Sequence, residues 1–132
     1  MSFRTILAIL WTMGLLIAFL VPAHWLRVVA TGPHPLTFFN ADKVVHCILF
    51  AGFAFLWMQA ARTRRAQVGV FVAGVALAVL TEVAQGLPFI ARGSDPADGL
   101  ADLVGLIFGL AVAYGLNRCL RGREVRPLEA VR

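Results

Sequence analysis

The chain has 132 residues, of which 60% are hydrophobic and 14% are charged, and its mean hydropathy is +0.82. Soluble domains have about 45–50% apolar and about 25% charged residues. The composition therefore excludes an ordinary soluble domain and predicts a single integral membrane domain over residues 1–132. The net charge of +5 does not predict a nucleic-acid partner, because the basic residues cluster beside hydrophobic runs.

Four hydrophobic runs follow one another along the chain. They predict membrane spans at about residues 5–23, 44–61, 66–87 and 98–117, followed by a basic C-terminal tail at 118–132. A span needs about 20 residues to cross the hydrocarbon layer, so the third and fourth runs are long enough only if their acidic ends enter the membrane boundary. The fold class is therefore predicted to be all-α, an integral membrane four-helix bundle whose first partner is the lipid bilayer. The first run also resembles a signal peptide, but its apolar core is longer than the about 7–15 residues that are usual, so we predict that it is retained.

The lysine and arginine residues predict the orientation of these spans. Nine of them lie beside one set of span ends and three, Arg27, Lys43 and Arg92, lie beside the other set. Because cytoplasmic loops carry the excess of basic residues, both termini are predicted to be cytoplasmic and the loops at 23–41 and 88–97 to face outward. The expected location is the bacterial inner (cytoplasmic) membrane, with several passes.

Polar side chains cluster at the span ends that this orientation places at the outer face. Charged groups at membrane depth are costly and usually have a function. We therefore expect these side chains to converge on one site, and we take His46, Glu82 and Asp98 as the candidates for catalysis. The predicted site consists of Asp42, Lys43, His46, Glu82, Gln85, Arg92, Asp98 and Asp102.

Asp42 and His46 are four residues apart and share one face of the second span. Asp42 could orient His46 as a base, or both could contact a cation or a substrate. A structural alternative is that Asp42 caps the helix while His46 forms a hydrogen bond inside the bundle. Lys43 points elsewhere on the helix, where it either joins the site or extends to the membrane interface.

Glu82 and Gln85 lie three residues apart near the outer end of the third span. An ionised Glu82 needs a partner at this depth, and Lys43, His46 and Arg92 are the candidates. The pair is interpreted either as a salt-bridged tie between helices or as part of a binding or catalytic site.

Arg92 belongs to the outer loop between the third and fourth spans. Its planar guanidinium suits bidentate binding of a phosphate, and it could equally clamp Asp95, Asp98 or Glu82. The sequence Ser94-Asp95-Pro96 predicts a turn in which Asp95 caps the last helix.

Asp98, Asp102, Gly105 and Gly109 share one face of the fourth span. The two glycines form a GxxxG pattern, which predicts close helix packing. The two carboxylates lie one turn apart and repel each other unless a divalent cation, Arg92, Lys43 or a proton intervenes, and such a pair can serve acid–base chemistry or metal binding. No cofactor is required by any motif in the chain.

Taken together, the clusters resemble the VanZ-like family of small bacterial membrane proteins over roughly residues 38–112. The family pattern reads approximately D-K-x-x-H-x-x-x-[FY], E-x-x-Q, R and D-x-x-x-N-x-x-G-x-x-x-G. This chain departs from it by having Asp102 where the family has Asn. An aspartate can donate a hydrogen bond only when protonated, so we expect a neutral Asp102 that donates to Asp98. The matching positions are Asp42, Lys43, His46, Phe50, Glu82, Gln85, Arg92, Asp98, Gly105 and Gly109.

The resemblance implies a cell-envelope context, since the family is named for a protein associated with resistance to the glycopeptide teicoplanin. Our leading hypothesis is an outer-face site that binds an anionic lipid headgroup or a lipid-linked wall precursor. One alternative is an intramembrane hydrolase or transferase that acts on a phosphate-bearing lipid. Another is a structural or partner-binding protein in which the polar groups only hold the helices together.

Overall fold

The structure, a computed structural model, describes residues 1–22 and 41–125, with Ala41 and residues 121–125 described by their backbone alone. It contains four α-helices: α1 (Phe3–Leu20), α2 (Ala41–Ala60), α3 (Arg64–Gln85) and α4 (Pro96–Val125). Within these residues there is no strand, so the all-α prediction is confirmed. Most of the predicted outer loop at 23–41 and the end of the basic tail, at 126–132, lie outside the described residues.

All four helices are long and apolar enough to cross a membrane. Large apolar side chains such as Ile17, Phe71 and Phe108 are exposed on the outer surface of the bundle. In water such a surface would be a large uncovered apolar patch, whereas in a bilayer it contacts lipid. The length and composition of the four helices are therefore those of a multi-pass membrane protein.

Short polar residues begin three of the helices. The Ser2 and Thr63 side chains accept hydrogen bonds from the backbone N–H groups of Thr5 (3.3 Å) and Ala66 (3.2 Å). At the start of α4, the Asp95 carboxylate accepts from the backbone N–H of Ala97 at 2.9 Å, which is the predicted cap. These bonds satisfy N–H groups that have no partner within their own helix.

The packing of α2 against α4 is the most extensive in the bundle, and the two helices run parallel. Gly105 and Gly109 are buried where the backbones meet, against the backbone carbonyl groups of Cys47 and Ala51. A Cβ atom at either glycine would overlap those carbonyl groups. The GxxxG pattern therefore sets both the separation and the register of α2 and α4.

Aromatic side chains attach α1 to this pair. The indole N–H of Trp11 donates to the carbonyl of Leu49 at 2.9 Å, and that of Trp57 donates to the Thr12 hydroxyl at 3.0 Å. Phe19, near the end of α1, is buried in the core. Because these contacts come from both halves of α1, the helix lies along α2 for most of its length. The core cluster consists of Leu15, Phe19, Phe50, Phe53, Ala54, Met58, Val70, Ala78, Leu106 and Ala113.

Candidate functional site

The polar side chains come together at one end of the bundle because α2 and α4 begin there while α1 and α3 end there. Lys43 and His46 project from the first two turns of α2, and Asp98 and Asp102 from the first two turns of α4. In the parallel register of these helices, Lys43 meets Asp98 and His46 meets Asp102. The site is therefore built mainly across the α2–α4 interface.

A buried histidine–aspartate pair lies at the centre of the site. His46 Nδ1 and Asp102 Oδ1 are 2.9 Å apart, and the two residues are 1% and 0% exposed. An ionised carboxylate can only accept, so with Asp102 ionised it is Nδ1 that donates. The ring of Phe19 stacks on the imidazole, with the ring centroids 4.2 Å apart. Both contacts hold the imidazole in one orientation.

This pairing corrects two expectations. His46 is oriented by Asp102 on the neighbouring helix rather than by Asp42 on its own helix. Asp102 Oδ1 forms its hydrogen bond with His46 Nδ1, and the expected hydrogen bond from Asp102 to Asp98 is not found among the described residues. The Oδ2 atom of Asp102 is buried and has no hydrogen-bond partner in the described part of the chain.

Lys43 is an ion-pair partner within the site. Its Nζ atom lies 2.9 Å from Asp98 Oδ1 and 3.0 Å from Asp95 Oδ2, so it links α2 to the start of α4. The hydrogen bond from the Ala97 N–H and the contact with Lys43 hold the pKa of Asp95 below its usual range. Lys43 therefore joins the site instead of extending to the membrane interface.

The histidine and two carboxylates converge on one point. Asp42, His46 and Asp98 each offer one ligand atom, and these atoms lie within 4.8 Å of one another. A point between three such atoms is therefore at most about 2.8 Å from each, which is within hydrogen-bond distance. His46 Nε2 is buried without a partner among the described residues, and Asp98 Oδ2 is 4.0 Å from it. The arrangement has the dimensions to bind one small hydrogen-bonding group.

At the upper limit of these distances the three atoms suit an ammonium or hydroxyl group, whereas a bare metal ion requires them to lie closer together. Mg²⁺ and Zn²⁺ bind their oxygen and nitrogen ligands at about 2.0–2.2 Å, so the three residues would have to close in around such an ion. The predicted cation between Asp98 and Asp102 is also disfavoured. Asp102 is turned to His46, and the Lys43 ammonium already supplies a positive charge beside Asp98.

Glu82, Gln85 and Arg92 form hydrogen bonds to the backbone instead of joining the centre. Glu82 Oε1 accepts from the backbone N–H of Asp95 at 2.6 Å. Gln85 Nε2 donates to the Phe19 carbonyl at 3.3 Å, and Arg92 Nη1 donates to the Ala18 carbonyl at 2.6 Å. These bonds fasten the 86–95 loop and the end of α1 to the bundle.

The expected ion pair of Glu82 is therefore not formed. Neither Lys43, His46 nor Arg92 lies within ion-pair distance of it in the described part of the chain, and Glu82 Oε2 is buried without a hydrogen bond. Arg92 instead approaches Asp42, with Nη2 3.9 Å from Oδ1.

Two contributors to the site were missed by sequence reasoning. Asp95 was predicted as a cap and as a candidate partner of Arg92, whereas it pairs with Lys43. Phe19 was assigned only to a hydrophobic run, although it stacks on His46 and offers its carbonyl to Gln85. The acidic Ser-Asp-Pro turn beside the cluster was a usable signal for Asp95. Nothing in the sequence distinguishes Phe19 from the other aromatic residues of the chain.

No family model, curated protein or solved structure matches this chain. The class of protein therefore follows from the fold and the site alone. It is a helical protein with four potential membrane spans and a buried ionic cluster at one end of the bundle.

Proposed function

We propose that this chain is a multi-pass protein of the bacterial cytoplasmic membrane, of the VanZ-like kind, with its ionic site at the outer face. The site binds the headgroup of a membrane lipid or of a lipid-linked wall precursor. Nine basic residues beside one set of span ends, against three beside the other, support this orientation. The motif resemblance supports the envelope context.

Reporter fusions test the orientation. A reporter enzyme joined after Arg65 or after Arg132 is expected to be active in the cytoplasm, because these positions follow the basic loop and the basic tail. The same reporter, an enzyme that is active only in the cytoplasm, is expected to be inactive when it is joined after Gly93. A cytoplasmic reporter at Gly93 would contradict the outer location of the site.

The proposal rests on the convergence of Asp42, Asp98 and the Nε2 atom of His46, which has no hydrogen-bond partner among the described residues. A buried polar atom without a partner is unfavourable, and a ligand that forms a hydrogen bond with it relieves that cost. The ammonium group of a headgroup has three N–H donors, one for each of the three protein atoms. The geometry therefore supports recognition of a primary amine.

The charges at this end of the bundle favour the same ligand. Among the described residues, five carboxylates lie there with two permanently charged cations, Lys43 and Arg92, while Arg27 lies outside the described residues. A bare anionic headgroup would meet this negative excess, whereas a headgroup that carries both an amine and a phosphate would not. In that case the amine contacts the three converging groups and the phosphate lies outside them. The carboxylates are those of Asp42, Glu82, Asp95, Asp98 and Asp102.

Lipid binding to the detergent-solubilised protein, followed by native mass spectrometry, tests this function. Phosphatidylethanolamine is expected to bind and phosphatidylcholine is not, because methylation removes every N–H donor while keeping the charge. His46→Asn keeps a donor for Asp102 but has no atom at the position of Nε2. It is therefore expected to weaken phosphatidylethanolamine binding about tenfold, as for the loss of a hydrogen bond to a charged group.

His46→Gln is the matched control, because its amide oxygen can take the place of Nε2 as an acceptor. It is expected to bind phosphatidylethanolamine more tightly than His46→Asn does. Equal binding of the two lipids by the wild type, or equal loss in both variants, would contradict amine recognition at His46.

The histidine–aspartate pair also favours a second candidate function, hydrolysis or group transfer on a phosphate-bearing lipid. A histidine oriented by a carboxylate is a common general base. His46→Gln separates the two functions, since it keeps an acceptor but cannot take up a proton in the reaction. Binding alone ranks first because Arg92, the expected phosphate-holding group, is engaged with the Ala18 carbonyl.

A further inference from the structure

The opposite end of the bundle contains two adjoining clefts of about 320 and 270 Å³. They lie where α1 and α3 begin and α2 and α4 end, and they share Met58, Arg62, Gln67 and Asn117 in their linings. Their linings are strongly basic and otherwise rich in amides. The polar lining residues used below are Arg4, Arg62, Arg64, Gln67, Asn117 and Arg118.

No described carboxylate pairs with the arginines of these clefts. The acidic side chains that the structure describes are all at the other end of the bundle, so the positive charge here is uncompensated within the described residues. The side-chain nitrogen of Gln59, which lines one cleft, is buried without a hydrogen-bond partner. The positive-inside rule accounts for basic residues at this end, but not for their convergence on clefts that contain an unpartnered amide donor.

An apolar groove of about 450 Å³ meets these clefts. It runs between α1, α2 and α3, and Ala61 lines both the groove and one of the clefts. Phe53, Trp57 and Val70 give the groove an apolar wall, and Gly69 leaves its floor open. In a bilayer such a groove is filled by lipid rather than by water.

We propose that this end of the bundle binds an anionic phospholipid, with the headgroup phosphate in the clefts and one acyl chain in the groove. Guanidinium groups bind phosphate oxygens in a bidentate manner, and basic pockets between membrane helices suit anionic headgroups. The amide side chains of Gln59, Gln67 and Asn117 supply further donors. The site is separate from the ionic site at the other end and does not depend on its function.

Native mass spectrometry of the full chain with phosphatidylglycerol or phosphatidylcholine of identical acyl chains tests the proposal. Both lipids carry the phosphate, but the choline cation of phosphatidylcholine is repelled by the arginines, so the wild type is expected to bind phosphatidylglycerol at least about tenfold more tightly. Arg62→Gln, which removes the arginine common to both clefts, is expected to abolish this preference. Arg65→Gln removes the same charge from a neighbouring exposed residue that lines neither cleft, and it is expected to keep the preference.

Two further experiments distinguish the binding of a lipid from the binding of a free phosphate. Gly69→Leu fills the groove and is expected to weaken phosphatidylglycerol binding without changing the binding of inorganic phosphate. Inorganic phosphate at millimolar concentration and constant ionic strength is expected to displace little phosphatidylglycerol. Equal binding of the two lipids, equal effects of Arg62→Gln and Arg65→Gln, or unchanged lipid binding in Gly69→Leu would overturn the proposal. Full displacement by phosphate would assign the clefts to a free phosphate instead.

Discussion

Gly105→Ala is expected to destabilise the bundle strongly, although it adds only one methyl group. The new Cβ atom would overlap the backbone carbonyl of Cys47, and backbone in the middle of a helix cannot move aside as a side chain can. Helices α2 and α4 would have to separate along their extensive interface. Overpacking of this kind costs about 1–3 kcal/mol. Thermal unfolding in detergent should therefore show a clearly lower Tm.

Gly115→Ala is the matched control on the same helix. A Cβ atom at Gly115 has nothing within 4 Å, and alanine favours the helical conformation. Such changes contribute about 0.4–1 kcal/mol to the free energy of unfolding. The Tm of this variant is therefore expected to match or slightly exceed that of the wild type. Equal Tm values for Gly105→Ala and Gly115→Ala would show that the close approach of α2 and α4 is not required for stability.

The second large effect is expected at Asp102. Asp102→Leu removes the acceptor for His46 Nδ1 and leaves a buried donor without a partner, at a cost of about 1–3 kcal/mol. The imidazole then loses its fixed orientation, and binding of phosphatidylethanolamine should be lost. Asp102→Asn keeps an acceptor oxygen at the same place, and asparagine is the residue that the VanZ-like pattern has here. It is expected to fold and to bind phosphatidylethanolamine within a few-fold of the wild type.

Comparison of the two variants separates positioning from charge. If Asp102 acts by orienting His46, the asparagine variant binds and the leucine variant does not. Loss of binding in both variants, with Tm retained in the asparagine variant, would show that the negative charge is needed. Binding retained in the leucine variant would remove Asp102 from the site's function.

Hydrophobic runs were sufficient to predict the helices, because apolar segments of this length have few alternatives in a membrane protein. The ends of the helices were harder to predict. Helix α2 begins at Ala41 and α4 at Pro96, before the predicted starts at 44 and 98, and α4 continues to Val125. Polar residues can belong to a helix when it extends beyond the hydrocarbon layer, so apolar runs alone do not define its ends.

The residue types of the site could be predicted, but most of their partners could not. Spacing by four residues places Asp42 and His46 on one face of a helix, yet it does not say which helix lies opposite that face. Once α2 and α4 pack in parallel through Gly105, the register brings Asp102 to His46. The GxxxG pattern predicts where a helix can pack closely, but it does not say which helix packs there.

Contacts with the backbone were the least predictable. Glu82 was expected to pair with a positive charge, but it accepts from the N–H of Asp95; Arg92 donates to the carbonyl of Ala18 and approaches Asp42, which was not among its expected partners. Such backbone groups become available only at helix ends and in loops, where no intrahelical partner exists. Their positions depend on the path of the 86–95 loop, which the residue types of that segment do not specify.

The central claim is that Asp102 holds His46 with its Nε2 atom available to the headgroup amine. Nuclear magnetic resonance of protein labelled with ¹⁵N in the histidine rings tests it most directly, with the His46 signals identified by their loss in His46→Asn. Phosphatidylethanolamine is expected to shift the Nε2 resonance while that of Nδ1, bonded to Asp102, stays in place, and phosphatidylcholine is expected to shift neither. A shift confined to Nδ1, or no shift at saturating phosphatidylethanolamine, would contradict the account.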